Sequence, residues 1–510
     1  MLLAASMTLG AAAQPARAAA GPAIAFIPLD DRPVTLQLPQ MLGEIAGQPL
    51  LVPPRASIGN YLTPGDPAAI LRWLHSSQTD GASALVASAD MVAYGGLVAS
   101  RIPGASVDDA VARLRSLAAF KTERPNAFVS VFGTIMRLAP TGDSVIVDLI
   151  ADYANLPDPP VSEADRAKAV RVRERIGDAT LDAYLATRAR NRDVDEYELQ
   201  FAAEGGFDRI VLGQDDAGPT GLHLRDIAAL QASAARMLLH DRASIEPGAD
   251  ELGMALLAGV FARNVRWTPT VEVEYSRFDG GSFHDPLEFA PVDVTIDHLI
   301  GVCGARRVDA AADVRLYVRI PDTSGADERA FEDALAADVA AGHSVAVADL
   351  SFLRGRPGSE QQELTDALIA RHIAGKLDAF ASWNTDANTV GTALAAAIAA
   401  GAGRRAGRFD AQAHAEFMLD RYVDDYAFHQ FVRPELNTEL RARGIDTTLL
   451  SPEVAVEAAH DNRRWLWPLA LDLMAAIYPE WADRGLAITL PWDRTFETEI
   501  DVRLGTIGAR

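Results

Sequence analysis

Cysteine is nearly absent. Cys303 stands alone among 510 residues, which excludes an intramolecular disulfide and any cysteine-rich metal site and leaves a small apolar side chain for a core. Aromatic residues are scarce, 7% against 49% hydrophobic residues in all, so the core is expected to be built from alanine, valine and leucine. A chain this apolar does not stay disordered. Basic residues are in deficit, with 47 Lys and Arg against 70 Asp and Glu for a net charge of −23. That charge repels phosphate backbones and anionic lipid surfaces, which argues against nucleic acid and membrane partners and favours small neutral or cationic ligands. Beyond the amino terminus no run approaches the roughly 18 uninterrupted apolar residues of a membrane span, so no membrane insertion is expected.

Familiar motifs are missing as well. The 10 histidines form neither His-Glu-x-x-His nor His-x-His, and there is no Gly-x-Ser-x-Gly elbow, Walker loop or Gly-x-Gly-x-x-Gly at a strand end. Zinc, serine-nucleophile and nucleotide chemistry therefore lose ground, and no cofactor is expected. Aspartates at strand ends still leave a hard-cation oxygen site open, because Mg²⁺ or Ca²⁺ needs no dedicated motif.

Residues 1–20 are apolar and Ala-rich and finish near Ala16-Arg17-Ala18. This Ala-x-Ala pattern predicts a secretory signal peptide, despite the missing basic beginning, and a periplasmic or secreted protein. An α/β catalytic region is expected over 21–405, with a charged helical insertion near 161–206 carrying Arg171, Arg173, Arg175, Arg188, Arg190 and Arg192. Those arginines read mostly as a solvated face, with room for one to lean into a cleft. Residues 406–510 read as helices followed by short strands at 486–490 and 496–502.

Apolar runs at 23–29, 84–88, 128–133, 210–212, 271–275, 314–320, 345–349 and 379–385 read as parallel strands, most of them followed by helical spacing. A short run at 49–52 is an edge candidate. Parallel βα repeats of this kind suit a (β/α)8-barrel-like fold, the preferred reading, with two Rossmann-like open sheets flanking a cleft as the alternative.

Polar residues gather where these strands end. Asp215 and Asp216 follow Ile210-Val211-Leu212 and are the expected catalytic pair, although capping or surface roles suit adjacent carboxylates too. Substrate contacts are expected from Asp30, Asp31 and Arg32 after the first strand, where Arg32 can hold one carboxylate in a bidentate pair. Asp90, Tyr94 and Arg101 follow another strand, with Gly95 and Gly96 able to let backbone approach a ligand. Arg137 and Glu251 extend the set, though Asp250-Glu251 also suits a helix amino end. Trp383 offers a flat apolar face to a sugar ring, and Asn384 and Asn388 offer donors and acceptors to its hydroxyls or amide. No metal ligand set is singled out.

Pro28-Leu-Asp-Asp-Arg-Pro33, Ser88-Ala-Asp-Met-Val-Ala-Tyr-Gly-Gly-Leu97, Gly213-Gln-Asp-Asp-Ala-Gly-Pro-Thr-Gly221, Gly248-Ala-Asp-Glu251 and Trp383-Asn-Thr385 closely resemble the bacterial family of domain of unknown function 4127, over nearly the whole chain after residue 20. The resemblance implies no activity, so function is argued from the residues.

Paired carboxylates, aromatic platforms and amides in an exported acidic protein point to a glycoside hydrolase acting on a small carbohydrate or glycan. In one version Asp215 polarises an acetamido group of an N-acetylated amino sugar while Asp216 protonates the glycosidic oxygen; in another the second carboxyl is Asp30, Asp90 or Glu251. The placement is similar to that of barrel hexosaminidases with an acidic pair after strand four. Alternatives are a metal-assisted hydrolase using Asp30, Asp90 and Asp215, and a non-catalytic periplasmic sugar-binding protein. Asp30, Asp90, Asp215, Asp216, Trp383 and Asn384 are expected to share one pocket.

Overall fold

The computed structural model describes residues 20–141, 144–351 and 360–506. The expected signal peptide lies outside these but for its last residue. Strands β1 (Ile24–Ile27), β2 (Leu50–Leu51), β3 (Ala84–Ser88), β4 (Phe128–Ile135), β5 (Arg209–Gln214) and β6 (Ala243–Pro247) form a parallel sheet in the order β2-β1-β3-β4-β5-β6. A second parallel sheet, β11-β10-β9-β7-β8, is built from β7 (Thr270–Tyr275), β8 (Arg306–Arg307), β9 (Val314–Arg319), β10 (Val345–Asp349) and β11 (Ala379–Ala381). An antiparallel hairpin, β12 (Trp481–Thr489) with β13 (Glu499–Thr506), completes the described strands.

Neither sheet closes on itself, since β2 and β6 are the edges of one and β8 and β11 of the other. Two open sheets therefore replace the preferred barrel. The reason lies in two helices, Leu252–Asn264 and Asp386–Arg405, which are buried on nearly every side. Barrel helices need one wet face, whereas all-round apolar helices belong between layers. These two pack on each other, the first reaching β3 and β4 and the second β9, β10 and β11.

Alternation along each strand supplies both faces of the first sheet. Ile24 and Phe26 join the core shared with the second sheet, while Ala25 and Ile27 face the opposite core with Leu85, Val131 and Ile210. Both sheets share one winding, with the first strand inside, the second at an edge and the rest added on the other side. That order creates a switch point between β1 and β3, where open α/β sheets bind ligands beyond their carboxyl ends.

The inserted helices are Glu163–Ile176 and Asp178–Ala203. Arg171, Arg173 and Arg175 of the first are exposed. On the second, Arg188 is buried with Nε 2.5 Å from Asp226. Beyond residue 406 come helices Ala411–Arg421, Arg433–Ala442 and Pro452–Ile477, with a π-helical stretch Tyr422–Val432. Among the described residues no helix is long and apolar enough to cross a membrane.

Candidate functional site

Five strands of the first sheet deliver charged side chains to its carboxyl edge. After β1, Asp30 and Arg32 lock together: Arg32 Nε donates to Asp30 Oδ1 at 2.9 Å and Nη2 to Oδ2 at 2.8 Å. The other side of the same guanidinium holds Asp250, which follows β6, with Nη1 and Nη2 at 2.8 and 2.6 Å. Thr35 Oγ1 donates to Asp30 Oδ1 at 2.6 Å. Asp30 and Arg32 are thus buried and mutually occupied, an ion-pair framework more than a ligand clamp.

Asp215 is tied in the same way. Arg101 Nη2 donates to its Oδ2 at 2.5 Å, and both side chains are buried. Asp216 differs, because its side chain keeps 33% of its surface and its nearest cation, Arg137, stands 3.5 Å away and is itself 25% exposed. Surrounding protein and then the Asp215 charge push the Asp216 carboxyl up to about 6, against the pull of Arg137 and Arg101. Burial and the repulsion of Arg101 and Arg494 lower the Arg137 pKa, with Asp215 and Asp216 opposing.

Behind Asp215 lies a buried cluster of carboxyls. Asp90 is buried with Oδ2 unpartnered, and burial, with some help from Asp215, raises it to about 7. Burial holds Asp195 and Glu198, from the inserted helix, well above the carboxylate range, with Asp90 adding to both. Tyr94 is buried among them, with the Arg190 guanidinium 4.6 Å above its ring. Gly95, at φ +95°, crosses Gly59 and Gly65 so closely that a side chain on it would strike the Gly65 backbone and one on Gly59 would strike the Gly95 carbonyl. That glycine serves a crossing of two loops, not the approach of a ligand.

From the second sheet, Trp383 reaches the same edge but offers no open face. It is 4% exposed and donates Nε1–H to Thr392 Oγ1 at 3.1 Å, which corrects the expectation of a sugar platform. It lines, with Arg32, Asp424, His429 and Glu497, a cavity of about 20 Å³, room for little more than one water. Asn384, partly exposed at φ +54°, donates to Asn388 Oδ1 at 2.7 Å. Asn388 in turn donates to Glu251 Oε2 at 2.6 Å. Glu251 is fully buried and pushed by burial up to about 8, so it does not serve as a second carboxyl facing substrate.

Sequence reading missed the cover. The segment between β12 and β13 folds over the end of β1, where Trp492 Nε1 donates to Asp31 Oδ1 at 2.7 Å. Asn60 Nδ2 donates to Asp31 Oδ2 at 3.0 Å, so Asp31 is engaged by protein on both oxygens. Arg494 packs 4.6 Å over the Trp492 ring and 5.0 Å over Tyr61 and is paired with Glu497. The signal was present in Pro491-Trp492-Asp493-Arg494, polar and aromatic letters between two strand runs. Asp250 was in view only as a helix-end acid, and Asp424 and His429 were hidden in a helical stretch.

The structure therefore brings Asp30, Arg32, Asp215, Asp216 and Trp383 to one edge, with Asp90 just behind. Most face inward, and Asp216 and Arg137 meet solvent. Among the described residues no three carboxylate, imidazole or thiol groups gather to hold a metal ion. The reading of Asp30, Asp90 and Asp215 as an ion site is corrected accordingly, since Arg32 occupies the first and Arg101 the third.

The family model described as protein of unknown function (DUF4127) matches residues 24–501, from β1 into the last strand. The chain belongs to the DUF4127 family. No curated protein and no solved structure gives a significant match. The DUF4127 match spans both sheets and the hairpin segment, so every group of this edge lies within the family's own extent.

Proposed function

We propose that this DUF4127 protein is an exported glycoside hydrolase with Asp216 as its proton donor. Asp216 carries the reading: it is the accessible carboxyl at a sheet edge, it holds its proton up to about pH 6, and Asp215 beside it is fixed by Arg101. Such a group gives its proton to the bridging oxygen as the C–O bond breaks. In the finer version the acetamido oxygen of an N-acetylated sugar attacks the anomeric carbon. Asp216 then takes back a proton from the water that opens the cyclic intermediate, and Asp215 orients the acetamido N–H.

The test is turnover of an aryl-glycoside panel by the protein recovered from the periplasmic fraction, with its amino terminus determined. Asp216→Asn is expected to lower turnover by roughly 10²–10⁴ on a poor leaving group and far less on an activated one. Equal losses on both would move the acid elsewhere, and no turnover on any glycoside would end the reading. Asp215→Asn should slow an N-acetylated substrate more than its hydroxyl counterpart. An intact amino terminus recovered from the cytosol would refute export.

A further inference from the structure

Global charge and local charge disagree at this edge. The chain carries −23, yet one guanidinium meeting solvent beside Asp216, that of Arg137, has little to neutralise it. Arg137 Nε is spent on the carbonyl of Ala139 at 2.7 Å. Among the described residues its one carboxylate contact is Asp216, at a long 3.5 Å, and that carboxyl keeps its proton to about pH 6. Arg101 and Arg494 are near enough to repel it. Arg101 faces inward to Asp215, and Arg494, packed on Trp492 and Tyr61 with 21% of its side chain open, is taken by Glu497. A cation under-neutralised and repelled by two others is relieved by an anion arriving from solvent.

We propose that the sugar taken beside Asp216 is itself negatively charged, a uronic acid or a sulfated sugar whose anion is held by Arg137. This rests on the hydrolase reading for turnover but not for binding. The geometry of guanidinium suits both anions, since carboxylate and sulfate alike accept two parallel N–H bonds. The bound anion also acts on the proposed acid. Its charge disfavours ionisation of Asp216, so the donor keeps its proton to higher pH with a charged substrate than with a neutral one.

Calorimetric binding of glucuronate, glucose 6-sulfate and glucose to the full protein tests the site without turnover. The charged sugars should bind at least about tenfold more tightly than glucose, and Arg137→Gln should erase the difference while Arg137→Lys keeps part of it. The stronger of the two charged ligands identifies carboxylate or sulfate as the natural anion. Equal binding of all three, no binding of any, or an unchanged preference in a folded Arg137→Gln variant overturns the proposal. Turnover of aryl glucuronide and aryl glucoside separates the two ideas. Charged sugars that bind while neither glycoside is cleaved leave the anion site standing and sink the hydrolase, whereas neutral glycosides cleaved without preference for charge do the reverse. Where both are cleaved, the alkaline limb of the pH–rate profile should lie higher for the glucuronide.

Discussion

Glu251 shows how far a residue can sit from the role its letter suggests. Its carboxyl is enclosed between the two sheets, accepts from Asn388 and holds its proton to about pH 8. An unfolded glutamate ionises near 4.3, so between those values the folded chain binds a proton that the unfolded chain does not. Stability from this group is full below about pH 4.3 and is lost as pH rises toward 8. Glu251→Gln keeps the acceptor for Asn388 and removes the titration. The variant should match wild type in urea unfolding at pH 4.5 and exceed it at pH 8.5, by roughly 1.4 kcal/mol for every tenfold difference in proton affinity between the folded and unfolded carboxyl. A stability difference independent of pH would refute this. The sequence made Glu251 visible as an acid at a helix start, but it could not show burial, which comes from Gly248 and Gly391 closing on the side chain. Asp215 and Asp216 illustrate the same limit: adjacency was legible, yet only the partners Arg101 and Arg137 distinguish a buried, paired carboxyl from an accessible one.

At the scale of elements, the strands with continuous apolar letters were legible because buried parallel strands need no alternation. The two missed strands had no such signal. β6 reads Ala-Ser-Ile-Glu-Pro and β8 is two arginines at an edge. The hairpin strands were anticipated in part, but the tip between them acts through side chains 461 positions from their target, a pairing no local pattern contains. Trp492 joins Asp31 by a hydrogen bond to a charged group and stacks on Tyr61 at 5.0 Å. Trp492→Phe keeps the stack and deletes the donor. It should cost about 1.5–3 kcal/mol in chemical denaturation, whereas a neutral result would mean that Asn60 and water satisfy Asp31 unaided.

For the whole molecule, the repeated βα pattern established the α/β class but not closure. Eight plausible strands suit a barrel as well as two sheets, and the deciding fact was that Leu252–Asn264 and Asp386–Arg405 have no wet face. Because one core spans both sheets, the two halves should not melt separately. Urea unfolding followed by tryptophan fluorescence and by far-UV circular dichroism should give coincident single transitions, and separated midpoints would show independent domains. The cover over β1 has a different consequence, one of timing. Asp31 enters the growing chain hundreds of residues before Trp492, and closing so long a loop is entropically slow to be rewarded. Until that loop closes, the Asp31 carboxyl has only Asn60 and Arg55 as protein partners, so this corner of the edge is finished after the strand that carries it.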